Sequence, residues 1–308
     1  MRIFVTGGSG FVGSNVVKVF AERHGVDVHA PSHHTVDLTD RTRVHHSVAE
    51  ARPDAIVHCA ILNDLGRLYA DRRAAWDAYV DATRNVVDAA NAAHAKVVLV
   101  STDWVFDGTQ SGADERTPPN PINLYGVLKV ASELVVAERA GDGAVARISG
   151  VNGVHWARPT APRSQDAGFG YFVASIVDAL SAGRTFGVLV SEDINMIATP
   201  SLASTCAELM WRIIDRDRQG VFHCCGGESV GRWRLAEQTA EVFGLDRSLL
   251  REGRPNPAVV PFASVPYDTS ITATATAAAL DVALPSLREL LVELRNERET
   301  GSLAAAAA

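Results

Sequence analysis

Two short segments of this chain combine residue types that could move a hydride and a proton. Residues 6–13 hold Gly7, Gly10 and Gly13 directly after the apolar run at positions 3–5. Further along, Tyr125 and Lys129 stand four positions apart, a spacing that puts two side chains on the same face of a helix. Together the two segments predict an oxidoreductase that binds a dinucleotide.

The glycine-rich segment is predicted to hold the pyrophosphate of that cofactor. Glycines at this spacing permit a tight turn, let the backbone approach the phosphates, and let the following helix pack closely on the strand. The helix N-terminus adds free N–H groups and the positive end of its dipole. A plain glycine-rich turn is the alternative, but the position between a strand and a helix favours the cofactor. Contacts are expected from Gly7, Gly10, Phe11, Val12 and Gly13.

The end of the second predicted strand, at residues 26–30, decides between the two nicotinamide cofactors. A carboxylate there would bind the ribose hydroxyls of NAD and repel a 2′-phosphate. None is present, and Ser32, His33 and His34 follow instead. The sequence therefore predicts NADP as the preferred cofactor, with NAD still open, and contacts from Ser32 and His33. Ordinary solvated histidines are the alternative, and Asp37 is expected on the adenine side.

Tyr125 and Lys129 are the candidates for proton transfer. A free tyrosine has a pKa of about 10, and a nearby ammonium lowers it by stabilising the phenolate. The phenol could then act as general acid towards a carbonyl or as base towards an alcohol. The alternative is a surface pair on an amphipathic helix.

Ser101 and Thr102 follow a fully apolar predicted strand at residues 96–100. The carboxyl ends of parallel strands form the ligand crevice of such sheets. A hydroxyl there could hydrogen-bond a substrate oxygen, although either side chain could also simply cap a turn.

The elements that must position these residues alternate between strand and helix. Strands are predicted at 2–5, 26–30, 55–59, 96–100 and 144–148, and helices at 11–22, 40–50, 71–94 and 124–139. Such alternation predicts an α/β fold of Rossmann type, with a doubly wound parallel sheet. Further helices are expected at 171–182, 201–216, 231–243 and 286–299, with a loop at 155–170.

The same pattern predicts how the chain is divided. Residues 1–150 should form the dinucleotide-binding domain, and 151–302 should complete the sheet and form a smaller substrate domain. The low-complexity stretch at 303–308 is expected to be a disordered tail.

Composition excludes several classes of partner. With a net charge of −7 and no block of lysines or arginines, the chain is not expected to bind nucleic acid or a membrane surface. It lacks the run of about 18 apolar residues that a transmembrane helix needs.

The immediate first strand leaves no room for a signal peptide, which predicts a cytoplasmic protein. The four cysteines form no zinc or disulfide pattern, so no metal site is expected. The predicted partner is a small-molecule substrate, and a homodimer is left open.

Five segments resemble the extended short-chain dehydrogenase/reductases, and within them the dTDP-4-dehydrorhamnose reductase family: 6–13, 37–40, 52–54, 101–108 and 123–129. The resemblance implies a Rossmann domain with a small sugar-nucleotide domain, and an NAD(P)H-dependent reductase of a ketone on a nucleotide-linked 4-keto-deoxysugar. It implies that Thr102, Tyr125 and Lys129 form the catalytic set, with Lys129 also binding the nicotinamide ribose. It adds further cofactor contacts at Asp37, Leu38, Cys59, Ala60 and Ile61.

The predicted substrate pocket departs from that family. Trp104 stands where the family usually has tyrosine, and Gly150 where it usually has an aromatic ring, so we expect a roomier pocket. Substrate contacts are expected from Asp103, Trp104, Gly150 and Arg158. In the loop at 155–170, Arg158 and Arg163 could bind a diphosphate or could simply be solvated.

Two other functions remain open. A sugar-nucleotide epimerase or dehydratase would keep its cofactor through the cycle, but dehydratases usually carry Glu after the Thr-Asp pair, where this chain has Trp104. A non-catalytic NADP-binding regulatory subunit is the second alternative. A relative of the dTDP-4-dehydrorhamnose reductase family plays that part for methionine adenosyltransferase.

Overall fold

The computed structural model describes residues 1–62, 64–160, 165–166, 168–255 and 263–303. Its helices are α1 Phe11–His24, α2 Arg41–Ala51, α3 Leu65–Ala70, α4 Arg72–Trp76, α5 Ala82–Ala93, α6 Leu124–Arg139, α7 Phe172–Ser181, α8 Ala203–Asp215, α9 Arg232–Val242, α10 Thr274–Leu280 and α11 Leu287–Thr300. Its strands are β1 Arg2–Thr6, β2 Asp27–His29, β3 Ala55–His58, β4 Lys96–Thr102, β5 Gly143–Ile148, β6 Val151–Asn152, β7 Phe186–Leu189, β8 Ile197–Ala198, β9 Ser201–Leu202, β10 Gly220–His223, β11 Val230–Gly231, β12 Leu250–Gly253 and β13 Asp268–Thr269. Residues 304–308 of the predicted tail lie outside the described residues.

The main sheet has six parallel strands in the order β10-β5-β4-β3-β1-β2. The predicted Rossmann-type fold is therefore confirmed. The chain leaves β1 towards β2 on one side and returns to β3 on the other. This reversal of strand order opens a crevice at the carboxyl ends of β1 and β3, where ligands bind in doubly wound sheets.

Helices cover both faces of the sheet because its central strands are apolar on both sides. On one face, α1 and α8 bury Val16, Phe20 and Met210 against the sheet. On the other, α2, α5 and α6 bury residues such as Val44 and Leu128. Both faces are thus closed to water, and the edge formed by the carboxyl ends of the strands is left to carry a site.

Local capping explains where several helices begin. The Asp40 side chain accepts a hydrogen bond from the Arg43 backbone N–H at the start of α2, and Asn123 does the same for Gly126 N–H at the start of α6. These bonds satisfy backbone donors that the helix itself leaves unpaired. The predicted helix at 124–139 has the observed bounds.

The predicted single helix at 71–94 is wrong in its middle. One turn of π-helix, Asp77–Asp81, separates α4 from α5. The Tyr79 carbonyl oxygen accepts hydrogen bonds from the hydroxyls of Thr83, at 2.6 Å, and Ser132, at 3.2 Å. A π-turn holds one residue more than an α-helical turn, and this shifts the side chains that face α6. Tyr79, which lies in the π-turn, is thereby brought towards the candidate active site.

A further hydrophobic cluster, separate from those on the two faces of the main sheet, lies among α7, α9 and α11. It buries Phe172, Ile176, Leu235 and Leu291 and carries the small sheets formed by β7 with β12 and by β8 with β11 and β13. Residues after position 150 also supply β10, the edge strand of the main sheet. The second half of the chain is therefore packed tightly onto the first.

Candidate active site

Close backbone contacts require glycine at two positions of the loop after β1. Gly7 has φ +69°, and a Cβ atom there would lie 2.7 Å from the backbone nitrogen of Ala60. A Cβ atom on Gly13 would lie 2.2 Å from the carbonyl oxygen of Gly7. The first contact keeps the turn against β3, and the second lets α1 start directly beside it.

The start of α1 leaves backbone donors for a ligand. Gly10 occupies the N-cap position, no side chain of the described residues caps the helix there, and its first turn carries no acidic residue. The N–H groups of this turn therefore suit an anion.

The cavity in front of the glycine loop measures about 730 Å³. Another cavity, of about 820 Å³, lies beside Val190 and Glu252 in the second half of the chain. Of these, the cavity at the glycine loop matters for the cofactor. The predicted cofactor residues line that cavity. These are Gly7, Gly10, Phe11, Val12, Gly13, His33, Leu38, Cys59, Ala60 and Ile61. Free N–H donors, a glycine cradle and this volume together fit a dinucleotide.

Two predicted cofactor residues hold the local loop instead of lining that cavity. The Ser32 hydroxyl hydrogen-bonds the hydroxyl of Thr35 at 3.0 Å. One oxygen of Asp37 accepts from the N–H and the hydroxyl of Thr39, at 2.9 and 2.8 Å, and these bonds lower the pKa of Asp37. Their short side chains are used in turns within the segment that leads to α2, which is why neither reaches the cavity wall.

A buried histidine lies beneath the cavity floor. The two ring nitrogens of His58 hydrogen-bond the hydroxyls of Thr6, at 2.7 Å, and Thr83, at 3.2 Å. Burial, with a contribution from the Lys129 charge, lowers the pKa of His58 to about 3, so the ring is neutral. Burial also raises the pKa of the neighbouring Cys59 thiol to about 12, so this cysteine is no nucleophile.

Tyr125, Thr102 and Lys129 come together at the carboxyl end of β4. Thr102 lies beside Tyr125, and its hydroxyl lowers the pKa of the phenol. The Lys129 Nζ donates to the carbonyl oxygen of Val100 at 2.8 Å, and its charge interacts with Cys59, a residue of the cavity wall. The three side chains thus lie next to the predicted cofactor cavity.

The expected lowering of the tyrosine pKa is not found in the protein without cofactor. Burial raises the pKa of Tyr125 to about 12, and the hydroxyl of Thr102 opposes this only in part. Burial also lowers the pKa of Lys129 to about 8. Desolvation is the largest cause of both shifts, and the causes of the Tyr125 shift do not include the Lys129 charge on which the expectation relied.

The Thr102 hydroxyl caps a turn, while its expected hydrogen bond to a substrate oxygen stays a prediction. Its oxygen accepts from the Trp104 backbone N–H at 3.2 Å and so caps the short 3₁₀ helix Asp103–Val105. The same hydroxyl donates to Asp103 at 3.1 Å and contacts Tyr125. The cap fixes the position from which the hydroxyl meets the phenol.

Asp103, for which a substrate contact is expected, is 5% exposed. Its carboxylate accepts hydrogen bonds from three hydroxyls: Thr102, Ser149 at 2.8 Å and Thr269 at 2.6 Å. Burial raises the pKa of Asp103 to about 6 in spite of these bonds. The side chain thus joins β4 to the segments that begin β6 and end β13.

Two aromatic rings enclose Tyr125. Trp104 meets it edge-on with ring centroids 5.9 Å apart, and Tyr79 does so at 6.1 Å. The Lys129 Nζ lies 5.6 Å from the centre of the Tyr79 ring. Sequence reasoning missed Tyr79, since regular helical spacing through 71–94 gives no sign of the π-turn that carries it.

Gly150 lies against residues 198–200 in a left-handed turn. Gly150 has φ +48°, and a Cβ atom there would lie 3.3 Å from the Cα of Pro200 and 3.4 Å from the Cβ of Ala198. The glycine serves a left-handed turn against residues 198–200, and the expected roomier pocket stays a prediction.

The segment before α7 covers both the cavity and Trp104. Arg158, expected at the substrate, lines the cofactor cavity together with His155, Asp166, Gly170 and Tyr171. Arg163 lies outside the described residues. A Cβ atom on Gly168 would lie 3.2 Å from the indole of Trp104.

A buried arginine holds that segment. Arg232 is 0% exposed and donates to the carbonyl oxygens of Asn195, at 2.6 Å, Asp166, at 3.0 Å, and Gly168. Its guanidinium also lies 4.8 Å from the ring of Phe169. No sequence motif pointed to Arg232.

Comparison with known proteins extends these observations. A sequence model of the RmlD substrate binding domain matches residues 1–299. The chain is 29% identical over 266 residues to methionine adenosyltransferase 2 subunit beta of Bos taurus, covering 84% of this chain and 77% of that protein. It is 27% identical over 252 residues to a dTDP-4-keto-6-deoxy-D-glucose reductase of Streptomyces niveus, covering 81% of each chain.

The fold has a close counterpart among solved structures. The dTDP-4-dehydrorhamnose reductase of Bacillus anthracis, solved in complex with NADP, superposes with a TM-score of 0.81. The two chains are 22% identical, and the match covers 96% of this chain and 99% of the other. None of the helices in the described part of this chain has the length and apolar composition that crossing a bilayer requires.

Proposed function

The chain belongs to the family of the RmlD substrate binding domain, and we propose that it is an NADPH-dependent reductase of a ketone on a nucleotide-linked 4-keto-deoxysugar. One observation carries the proposal: Tyr125 and Thr102 lie side by side, with Lys129, next to a cavity that fits a dinucleotide. The family and the reductase among its relatives support the substrate class.

NADP is the cofactor that the second strand favours. β2 ends at His29, and the next carboxylate in the chain is that of Asp37. Because Thr39 engages that carboxylate, no acid stands ready to bind the ribose hydroxyls of NAD or to repel a 2′-phosphate. His33, on the cavity wall, is the proposed phosphate contact.

The bound nicotinamide would supply the hydride to the carbonyl carbon. Tyr125 donates its phenolic proton to the carbonyl oxygen, so that the ketone becomes an alcohol. With its pKa held near 12 by burial, Tyr125 keeps this proton at neutral pH, and an alkoxide is basic enough to take it. Solvent then returns a proton to the phenolate.

Thr102 and Lys129 prepare that transfer. The Thr102 hydroxyl, held by its cap, lies beside the phenol and orients it, and it stabilises the phenolate when its O–H turns from Asp103 to the tyrosine oxygen. The Lys129 ammonium, mostly charged at neutral pH, binds the nicotinamide ribose and favours the phenolate left after proton donation. Trp104 and Tyr79 hold the ring in place.

Cofactor consumption with a panel of nucleotide-linked keto sugars tests the proposal. A reductase consumes NADPH in equal amount to the alcohol formed, whereas an epimerase or dehydratase converts the sugar without net consumption. The reductase proposal fails if the protein binds NADPH yet consumes none with any member of the panel.

A regulatory subunit is the second candidate, favoured by the likeness to methionine adenosyltransferase 2 subunit beta. Such a protein would bind NADP and a catalytic partner without turnover. Co-purification with a methionine adenosyltransferase catalytic subunit, scored with and without NADPH, separates this role from the reductase. A cytoplasmic location is part of the proposal in either case.

A further inference from the structure

We propose that residues 153–158 form a clamp across the dinucleotide cavity and that Arg158 binds the pyrophosphate of the cofactor. This inference rests on the proposed cofactor and goes beyond it, because it assigns a binding role to the segment between β6 and α7. In the glycine loop itself, the expected donors are backbone N–H groups.

The clamp is fixed to the helix whose N-terminus faces the cavity. The side chain of Asn15, on α1, donates to the carbonyl oxygen of Val154 at 2.9 Å. Its amide oxygen accepts from the indole N–H of Trp156 at 3.0 Å. Asn15 is completely buried, so both bonds are protected from water.

Further contacts hold the clamp along α1. The Lys18 ammonium lies 4.5 Å from the centre of the Trp156 ring. The Phe11 ring, in the first turn of α1, packs against His155 with centroids 5.9 Å apart and against Tyr171 at 5.0 Å. The segment is therefore positioned relative to the first turn of α1, where a pyrophosphate is expected.

Arg158 extends from this anchored segment into the cavity wall. Its backbone N–H donates to the carbonyl oxygen of His155 at 2.9 Å, which closes a tight turn. His155 packs against Phe11 of α1, and Arg158 lines the same cavity as the glycine loop.

Charge explains what Arg158 would add. A helix N-terminus offers about half a positive charge, whereas a pyrophosphate carries two negative charges. Among the described residues that line the cavity, Arg158 is the one arginine and none is a lysine. Its planar guanidinium can make two parallel hydrogen bonds to phosphate oxygens.

Equilibrium binding of NADPH and NADH, measured by fluorescence without substrate, tests the clamp. Arg158→Ala should raise the Kd of both cofactors by the same factor, about tenfold, since both contain the pyrophosphate. Arg158→Lys should recover part of the loss. Arg184→Ala, an exposed arginine after α7, is the matched control and should leave both Kd values unchanged.

Trp156→Phe tests the anchor separately from the charge. It removes the N–H that Asn15 accepts while keeping an aromatic ring for Lys18, so the Kd of both cofactors should rise about threefold, mainly through faster dissociation. Circular dichroism and Tm establish that each variant is folded.

The outcomes separate the clamp from the function on which it rests. Unchanged affinities in Arg158→Ala, with a wild-type protein that binds NADPH, overturn the clamp alone. A loss confined to NADPH overturns the pyrophosphate assignment, because it moves Arg158 to the 2′-phosphate. A wild-type protein that binds neither cofactor overturns both proposals.

Discussion

The indole of Trp104 meets the phenol of Tyr125 edge-on, with ring centroids 5.9 Å apart and ring planes at 80°. The backbone N–H of the same tryptophan donates to Thr102, whose hydroxyl contacts the phenol. Trp104 thus supports Tyr125, the proposed proton donor, through its side chain. It supports Thr102 through its backbone. The side-chain contact can be removed without breaking the backbone bond.

Trp104→Ala should therefore reduce turnover without abolishing it. An edge-to-face aromatic contact contributes about 0.5–1.5 kcal/mol, and its loss lets the Tyr125 ring leave its reactive position. We expect kcat to fall about tenfold while the NADPH Kd stays within twofold. Trp104→Phe, which keeps an aromatic edge, is the control, and equal activity in all three proteins would show that the ring contact is unimportant.

Removing the phenolic hydroxyl should have a larger effect. Tyr125→Phe keeps the contacts with Trp104 and Tyr79 but cannot donate a proton. The kcat should fall about 10²-fold or more, the scale of a lost general acid. Cofactor affinity should be retained, as fluorescence titration can verify; a variant with wild-type turnover would refute the assignment.

The pH profile should follow Lys129, not Tyr125. The pKa of the lysine lies near 8 and that of the tyrosine near 12 in the free protein. As pH rises through about 8, the ammonium loses its proton, so kcat/KM for reduction and the affinity for NADPH should both fall.

Lys129→Met is the variant that checks this assignment. Its activity should be low and should lack the decrease near pH 8, because Tyr125 does not titrate in that range. If the variant retains the same decrease, another group is responsible for it.

Glu297 should make the protein less stable as the pH rises from about 4.5 to about 7. This α11 side chain is 0% exposed, and burial raises its pKa to about 7 from 4.5. The folded state therefore keeps a proton that the unfolded chain releases. The contribution to stability is full below about pH 4.5 and is lost as pH rises towards 7, at about 1.4 kcal/mol per unit.

Glu297→Gln removes that proton equilibrium. Urea unfolding of the two proteins should give a difference in unfolding free energy that grows in favour of the variant from pH 5 to pH 8, reaching about 1–3 kcal/mol. A pH-independent difference would mean that Glu297 does not hold the proton.

Gly150→Ala should destabilise the fold and leave KM for the substrate unchanged. A Cβ atom in the left-handed conformation costs about 1–2 kcal/mol, and here it also meets Pro200 at 3.3 Å. A lower Tm with wild-type KM is expected. A changed KM without loss of stability would return Gly150 to the substrate pocket.

The parts of the fold and site that could be predicted are those that short stretches of sequence determine. The apolar strands β1, β3 and β4, the glycine loop and the capped helix α6 all follow from local patterns. The spacing of Tyr125 and Lys129 places them on one face of α6, and Thr102 ends β4, but it was the family resemblance that joined the three in one set.

What could not be predicted depends on contacts between distant residues. The Asp103 carboxylate is buried by hydroxyls at positions 149 and 269, and Gly150 is closed off by residue 200. The pKa of Tyr125 depends on how completely the folded chain excludes water, which no local pattern reveals. Arg232 likewise acquires its role only when α9 reaches the segment that covers Trp104.

Transfer of deuterium from the cofactor tests the central claim most directly. NADPH deuterated at nicotinamide carbon 4, on the transferring face, is incubated with the protein and a dTDP-linked 4-keto-6-deoxyhexose, and the product is examined by mass spectrometry. A reductase that uses Tyr125 should give an alcohol with deuterium on the former carbonyl carbon, formed at least about 10²-fold more slowly by Tyr125→Phe. A sugar that is never labelled, although the wild-type protein binds NADPH, would contradict the account.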